Sequence, residues 1–181
     1  FLPQIAGEYQ WEIHGCVEAS GKTVCEAAPE EGRQHGIVHA QATYFVHDDG
    51  TEFLPFGTTI YALAHQREEL LIQTYETLKN APFNKIRHCV FPKYYDYNHD
   101  EPEFFAFEKD ANGNWDMDHP NFVFWDHLEE IIFRLAEMGI QSDLILFHPY
   151  DMGHWGLDQI TMEQVFLYLD YLLRRLSAIP D

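Results

Sequence analysis

Positive charge is scarce in this sequence. Eleven Lys+Arg stand against thirty Asp+Glu, a formal net charge of −19 over 181 residues. Such a surface repels phosphate backbones and anionic lipid, which argues against nucleic-acid and membrane-surface roles; neutral ligands, sugars among them, meet no such barrier. Cysteine is scarce too. Cys16, Cys25 and Cys89 cannot all pair within one chain, and although Cys16 and Cys25 could close a small loop, no C-x-x-C suggests zinc or redox work. Three reduced thiols are the expectation, and they lean towards a cytoplasmic setting. No apolar run approaches the roughly 20 residues of a membrane span, and no leader pattern opens the chain. It begins with Phe1 rather than Met, and Phe1–Gly7 already reads like the middle of a domain, so a piece of a longer protein is expected.

What is present can fill a core: 46% of residues are hydrophobic and 15% aromatic, which excludes a disordered chain. Residues 1–42 hold short β-prone pieces (Tyr9–His14, Thr23–Cys25, Gly36–His39) separated by polar turns such as Pro29-Glu30-Glu31-Gly32. That spacing predicts the end of an all-β domain. "YFVHDDGTEFL" (44–54) predicts a hairpin turning at Asp49-Gly50, a pair that tolerates positive φ.

From Phe53 the rhythm becomes strand, loop, helix. The first strand, "FLPFGTTIYAL", leads to a helix in "REELLIQTYETLKN", whose Leu70, Leu71, Thr74, Tyr75 and Leu78 share a face. The second, "NKIRHCVF" (84–91), precedes a long loop from Pro92 to about Pro120. The helix "NFVFWDHLEEIIFRLAEMG" follows, with Gly139 where a C-terminal cap belongs. The third strand is "DLILF" (143–147), whose continuous apolar run is typical of a strand buried on both faces. A last helix, "TMEQVFLYLDYLLRRLSAI", starts on a Thr161/Gln164 capping box.

Alternating βα units predict an α/β fold with a parallel sheet, either an open doubly wound sheet or a (β/α)8 barrel. No G-x-G-x-x-G follows the first strand and no G-x-x-x-x-G-K-S/T occurs, which disfavours the nucleotide-binding open sheet. The expected fold is therefore the first three βα units of a (β/α)8 barrel over residues 43–181. Residues 1–42 would be the last strands of an N-terminal β-sandwich.

In either closure the working face lies beyond the carboxyl ends of the strands. The first strand brings Thr58, Thr59, Tyr61 and His65 there. The second brings Arg87, Lys93, Tyr94, Tyr95, Asp96 and Tyr97, and the third brings His148, Tyr150, Asp151, His154 and Trp155. Rings for C–H faces and directional donors and acceptors for hydroxyls are what a sugar requires. Tyr94, Tyr95 and Tyr97 also read as pins for a long loop, and Trp155 as packing for the next helix. Arg87, inside an apolar strand, requires an anionic partner; a structural ion pair would supply one, but a carboxylate at the heart of an active site is the favoured reading. His148-x-x-Asp151-x-x-His154 has metal-ligand residue types, but Pro149 and Gly153 bar a helix that would set them on one side. No metal and no cofactor is expected.

"FLPFGTTIYALAHQ", "LKNAPFNKIRHCVFPKYYDYNHDEPEFFAF" and "DLILFHPYDMGHWG" resemble the opening βα units of a bacterial family of inferred glycoside hydrolases. That family lies close to the apiosidase-like barrels and is known in part only as domains of unknown function. "FLPQIAGEYQWEIHG" through "HGIVHA" is similar to the last strands of the sandwich that precedes those barrels. The resemblance implies a (β/α)8 barrel, a carbohydrate substrate and hydrolysis of O-glycosidic bonds. It also implies a likeness to the retaining glycosidases whose acid/base Glu ends strand four and whose nucleophile Glu ends strand seven. In those enzymes an Arg late in strand two and a His ending strand three line the site; Arg87 and His148 match those places. Tyr61, His65, Tyr94, Asp151, His154 and Trp155 complete the expected sugar-binding set. The sequence stops at Ala178-Ile179-Pro180-Asp181, where strand four would begin, so both catalytic carboxylates are expected beyond residue 181. A part-barrel without them should be inactive and, with open sheet edges, prone to associate. A non-catalytic carbohydrate-binding barrel and a metal-dependent hydrolase are the alternatives. The oligomeric state cannot be read from the sequence.

Overall fold

The computed structural model describes residues 3, 5–27, 35–148 and 151–179. The expected turn at Pro29-Glu30-Glu31-Gly32, Tyr150, and the terminal Pro180-Asp181 lie outside the described residues.

Two strands, β1 (Gly7–Ile13) and β2 (Ala19–Cys25), form an antiparallel ribbon in register from Gly7↔Cys25 to Ile13↔Ala19. A meander follows: β3 (Val38–Gln41), β4 (Tyr44–His47) and β5 (Glu52–Phe53). The hairpin read around Asp49-Gly50 forms. Gly50 adopts φ 86°, and the Asp49 carboxylate accepts the Thr51 N–H at 2.8 Å. The turn between β3 and β4 falls at residues 42–43, so the expected domain join runs through a paired hairpin.

The parallel sheet has the order β6 (Gly57–Thr59), β7 (Lys85–Cys89), β10 (Gln141–Ile145). Its register aligns Thr59 with Arg87 and Arg87 with Asp143. Gly57 is required by closeness: a Cβ there would stand 1.9 Å from the Lys85 carbonyl oxygen. Helix α1 (Glu68–Lys79) follows β6, α2 (Phe122–Glu137) lies between β7 and β10, and α3 (Met162–Leu176) follows β10.

The helix boundaries have local causes. The Asn121 side chain caps α2 by accepting the Val123 N–H, and Thr161 and Gln164 form the reciprocal capping box of α3. Past α2, Gly139 turns to φ 72° while its N–H reaches Ala136 O and that of Ile140 reaches Leu135 O. That is a Schellman closure. The core sits between the helices and one face of the sheet. Phe124, Trp125, Leu128, Ile131, Ile132 and Leu135 of α2 pack with Leu71, Tyr75 and Leu78 of α1, Ile86 of β7, and Tyr168 and Leu172 of α3. No helix of the described residues is long and apolar enough to cross a membrane.

Three expectations are corrected. The first strand is shorter than residues 53–63: pairing ends at Thr59, and Leu63–His65 is a 3-10 turn. The stretch from Pro92 to Pro120 is not all loop, because β8 (Phe107–Lys109) and β9 (Trp115–Pro120) pair antiparallel within it. Their turn is organised by Asp110, whose Oδ1 accepts the N–H groups of Asn112 and Asn114. The third strand starts two residues early, at Gln141, and is half-buried rather than enclosed. Its second face carries Asp143 beside Arg87.

Candidate functional site

Three loops leave the carboxyl ends of β6, β7 and β10, and the expected site residues lie on them or just before them. The sheet's own alternation separates two roles. Ile86 and His88 point to the helices and are fully buried, whereas Arg87 lies on the opposite face with its side chain about half exposed.

Arg87 finds its partner on the neighbouring strand. Its Nε donates to Asp143 Oδ2 at 2.9 Å, and Lys85 Nζ donates to the same oxygen at 2.8 Å. Partial burial pushes the Asp143 carboxyl up, but the bonds from Lys85 and Arg87 outweigh it and hold the group below its ordinary range. One carboxylate between two cations leaves this face net positive in a chain of −19. Asp143 was not singled out from the sequence; as the only charge in "DLILF", the parallel strand next after the one holding the in-strand arginine, it carried the signal.

His65 and His148 do similar work from two sides. His65 Nε2 donates to Val90 O at 3.0 Å, and His148 Nε2 to Phe91 O at 3.2 Å. Successive carbonyls beyond β7 are thus tied to the loops after β6 and β10. His65 also stacks on Phe124 of α2, with centroids 5.6 Å apart. Burial lowers its pKa to about 4, and burial lowers that of His148 too, so both are neutral imidazoles near pH 7.

Asp151 is fully buried. Its two oxygens accept the N–H groups of Gly153 at 3.0 Å, Trp155 at 2.9 Å and Leu157 at 3.1 Å. The carboxylate folds its own loop. The His148, Asp151 and His154 side chains therefore diverge to three different partners and do not converge as metal ligands would.

Tyr94, His154 and Trp155 do come together, joined by a residue the sequence reading missed. Glu101 accepts the Trp155 indole N–H at 2.8 Å with one oxygen and bonds His154 Nε2 with the other. These two bonds, the indole's first, hold the Glu101 carboxyl below its usual range. Tyr94 lies between two imidazoles, stacked on His154 at 4.1 Å and on His99 at 4.9 Å, with Trp155 edge-on at 5.8 Å. Trp155 is only 7% exposed, and its carbonyl accepts the Trp115 indole N–H. Tyr61 stands apart from this group, its ring carrying Lys93 Nζ at 3.8 Å from the centroid.

A cavity of about 1090 Å³ opens elsewhere, lined by Phe53 and Leu54 of the meander region, Leu78 of α1, and Phe133 and Ala136 of α2. It shares no lining residue with the strand-end groups just described.

Parallel strands each followed by a helix, with charged, imidazole and aromatic groups gathered past their carboxyl ends, define an α/β protein whose candidate site lies at the strand ends. The apiosidase-like, catalytic domain family matches residues 39–181, and the chain belongs to it. A candidate glycoside hydrolase from Bacteroides vulgatus ATCC 8482 shares 36% identity and a TM-score of 0.89, over 99% of this chain and 38% of that one. A glycoside hydrolase family 5 protein from the same organism is 18% identical with a TM-score of 0.57, over 82% of this chain and 31% of that one. The endo-1,4-beta-mannanase from Rhizomucor miehei is 16% identical with a TM-score of 0.50, over 80% of this chain and 45% of that one. The last two show likeness of fold alone. No curated protein matches the chain. The chain thus spans 31% to 45% of the length of these solved structures.

Proposed function

We propose that this chain is part of a glycosidase that hydrolyses O-glycosidic bonds of a neutral carbohydrate. The observation that supports it best is the gathering of Arg87, His148 and the Tyr61, Lys93 and Trp155 loops at one end of a parallel sheet in a member of the apiosidase-like catalytic family. In this reading β6, β7 and β10 are the first three strands of a (β/α)8 barrel. Residues 1–42 close a preceding β-sandwich, joined to the barrel through the β3–β4 hairpin.

Retaining hydrolysis needs two carboxyl groups about 5 Å apart across the scissile bond. We assign both to barrel strands outside this chain, which covers only 38% of its Bacteroides vulgatus relative. Arg87 then has a defined part. Asp143 holds it through Nε, so the remaining guanidinium N–H groups present a fork to a catalytic carboxylate. His65, His148, Asp151 and Glu101 serve as positioning residues that fix the loops around the sugar. Tyr61 contacts the sugar directly.

The test is expression of the full reading frame followed by a screen of aryl glycosides, pentosides included. Turnover of at least one is expected. No turnover, together with no sugar-dependent shift in melting temperature, overturns the proposal.

A further inference from the structure

The aromatic residues covered by other rings or by the core in this region are the ones least able to meet a sugar. Tyr94 has an imidazole stacked on it from His99 and another from His154, and Trp155 is 7% exposed. A second row of rings is open. Tyr61, 39% exposed, follows β6; Tyr95 is half-buried; Tyr97 is 93% exposed. Lys93 Nζ lies 3.8 Å from the Tyr61 centroid and 5.1 Å from that of Tyr95, and Tyr95 meets Tyr97 edge-to-face at 6.2 Å. The row therefore runs unbroken from the carboxyl end of β6 outward.

Tyr97 stands on a hydrogen-bonded backbone turn although its side chain is almost bare. Tyr95 and Asn98 exchange backbone bonds, N–H to O, of 3.2 and 2.8 Å, which closes a two-residue turn at Asp96-Tyr97. The Asn98 amide then donates to Lys93 O at 3.2 Å and locks the turn to the strand exit. An aromatic ring on a backbone already ordered loses little freedom on stacking against a ligand. Asp96, exposed at the same tip, adds an acceptor for hydroxyl groups.

We propose that Tyr61, Lys93, Tyr95 and Tyr97 form an outer carbohydrate subsite that takes a neutral sugar ring adjoining the one cleaved. It rests on the glycosidase reading above. C–H faces of the sugar stack on the Tyr95 and Tyr97 rings, the Lys93 ammonium donates to a hydroxyl, and Tyr61 carries the contact inward. The specificity for chain length then lies in the loop after β7.

The experiment uses the full-length protein and measures binding of cellotriose, xylotriose and mannotriose, with glucose, xylose and mannose beside them. At least one trisaccharide is expected to bind. Tyr97→Ala and Tyr95→Ala should weaken it by roughly 2- to 10-fold, the equivalent of one lost ring contact. Tyr97→Phe should keep wild-type affinity, and binding of the matching monosaccharide should not change in any variant. Equal trisaccharide binding by wild type and Tyr97→Ala overturns the subsite and leaves the glycosidase reading intact. So does the absence of any trisaccharide binding in a protein that still cleaves an aryl glycoside. If it neither binds nor cleaves, both fall. Circular dichroism of each variant separates lost contact from lost fold.

Discussion

Asp151 shows how far a residue's chemical type can mislead about its task. In the sequence it stands between two histidines and looks like a ligand or a sugar acceptor. In the fold it is sealed, and its oxygens are occupied by three backbone N–H groups of its own loop. Asp151→Ala should therefore cost about 2–4 kcal/mol in denaturant unfolding, because buried N–H groups would be left without acceptors. Asp151→Asn, keeping one acceptor oxygen, should fall between. A neutral Asp151→Ala would return the residue to direct substrate contact. The same scale explains what reading missed: Glu101 sits in an acidic, Pro-containing stretch where nothing in spacing marks it, and only the fold brings His154 and Trp155 to it. Arg87 was legible because an in-strand guanidinium demands a carboxylate, although which carboxylate was a question of register.

At the scale of elements, helices were the most legible. Their caps are local chemistry: Asn121, the Thr161/Gln164 box and Gly139 each act within a few residues of where they stand. Strand limits were less so, because they depend on partners far along the chain. β6 pairs over only three residues, and its position is set from outside by Asn84. That side chain accepts the Phe56 N–H at 2.7 Å and donates to Leu54 O at 2.8 Å. The β8–β9 hairpin had a readable turn in Asp110-Ala111-Asn112-Gly113, but its strands are short and irregular in register. Gly57→Ala tests the contact on which β6 depends. With a Cβ 1.9 Å from the Lys85 oxygen, backbone must move, and a loss of about 2–3 kcal/mol or more is expected in thermal or chemical unfolding. An unchanged midpoint would mean that β6 and β7 approach less closely than described.

For the whole molecule, buried imidazoles couple stability to acidity. His65 and His88 both have pKa values lowered to about 4, each mainly by burial, and His88 Nδ1 has no hydrogen-bond partner among the described residues. The unfolded chain takes up these protons near pH 6.5, whereas the folded one resists until about pH 4. Their contribution is therefore complete above pH 6.5 and is lost progressively as the pH falls towards 4. Melting temperature should drop over that interval, ahead of the carboxylates Asp49, Glu101 and Asp143, whose lowered pKa values place their loss at more acid pH. His88→Leu should flatten the slope between pH 6.5 and 4; a slope unaltered by it would assign the sensitivity elsewhere.

The peptide units of Val90 and Phe91 accept one imidazole from the loop after β6 and another from the loop after β10. They act as a keystone: two neighbouring carbonyls in the middle strand's exit set the height of both flanking loops. The bonds themselves are carried by the backbone, while the Val90 and Phe91 side chains are buried in the core and seat the segment from the other side. What the arrangement does not tolerate is a change in the number of residues between Cys89 and Pro92. Lineages of this fold should therefore hold that segment to one length and to apolar side chains at its two middle positions.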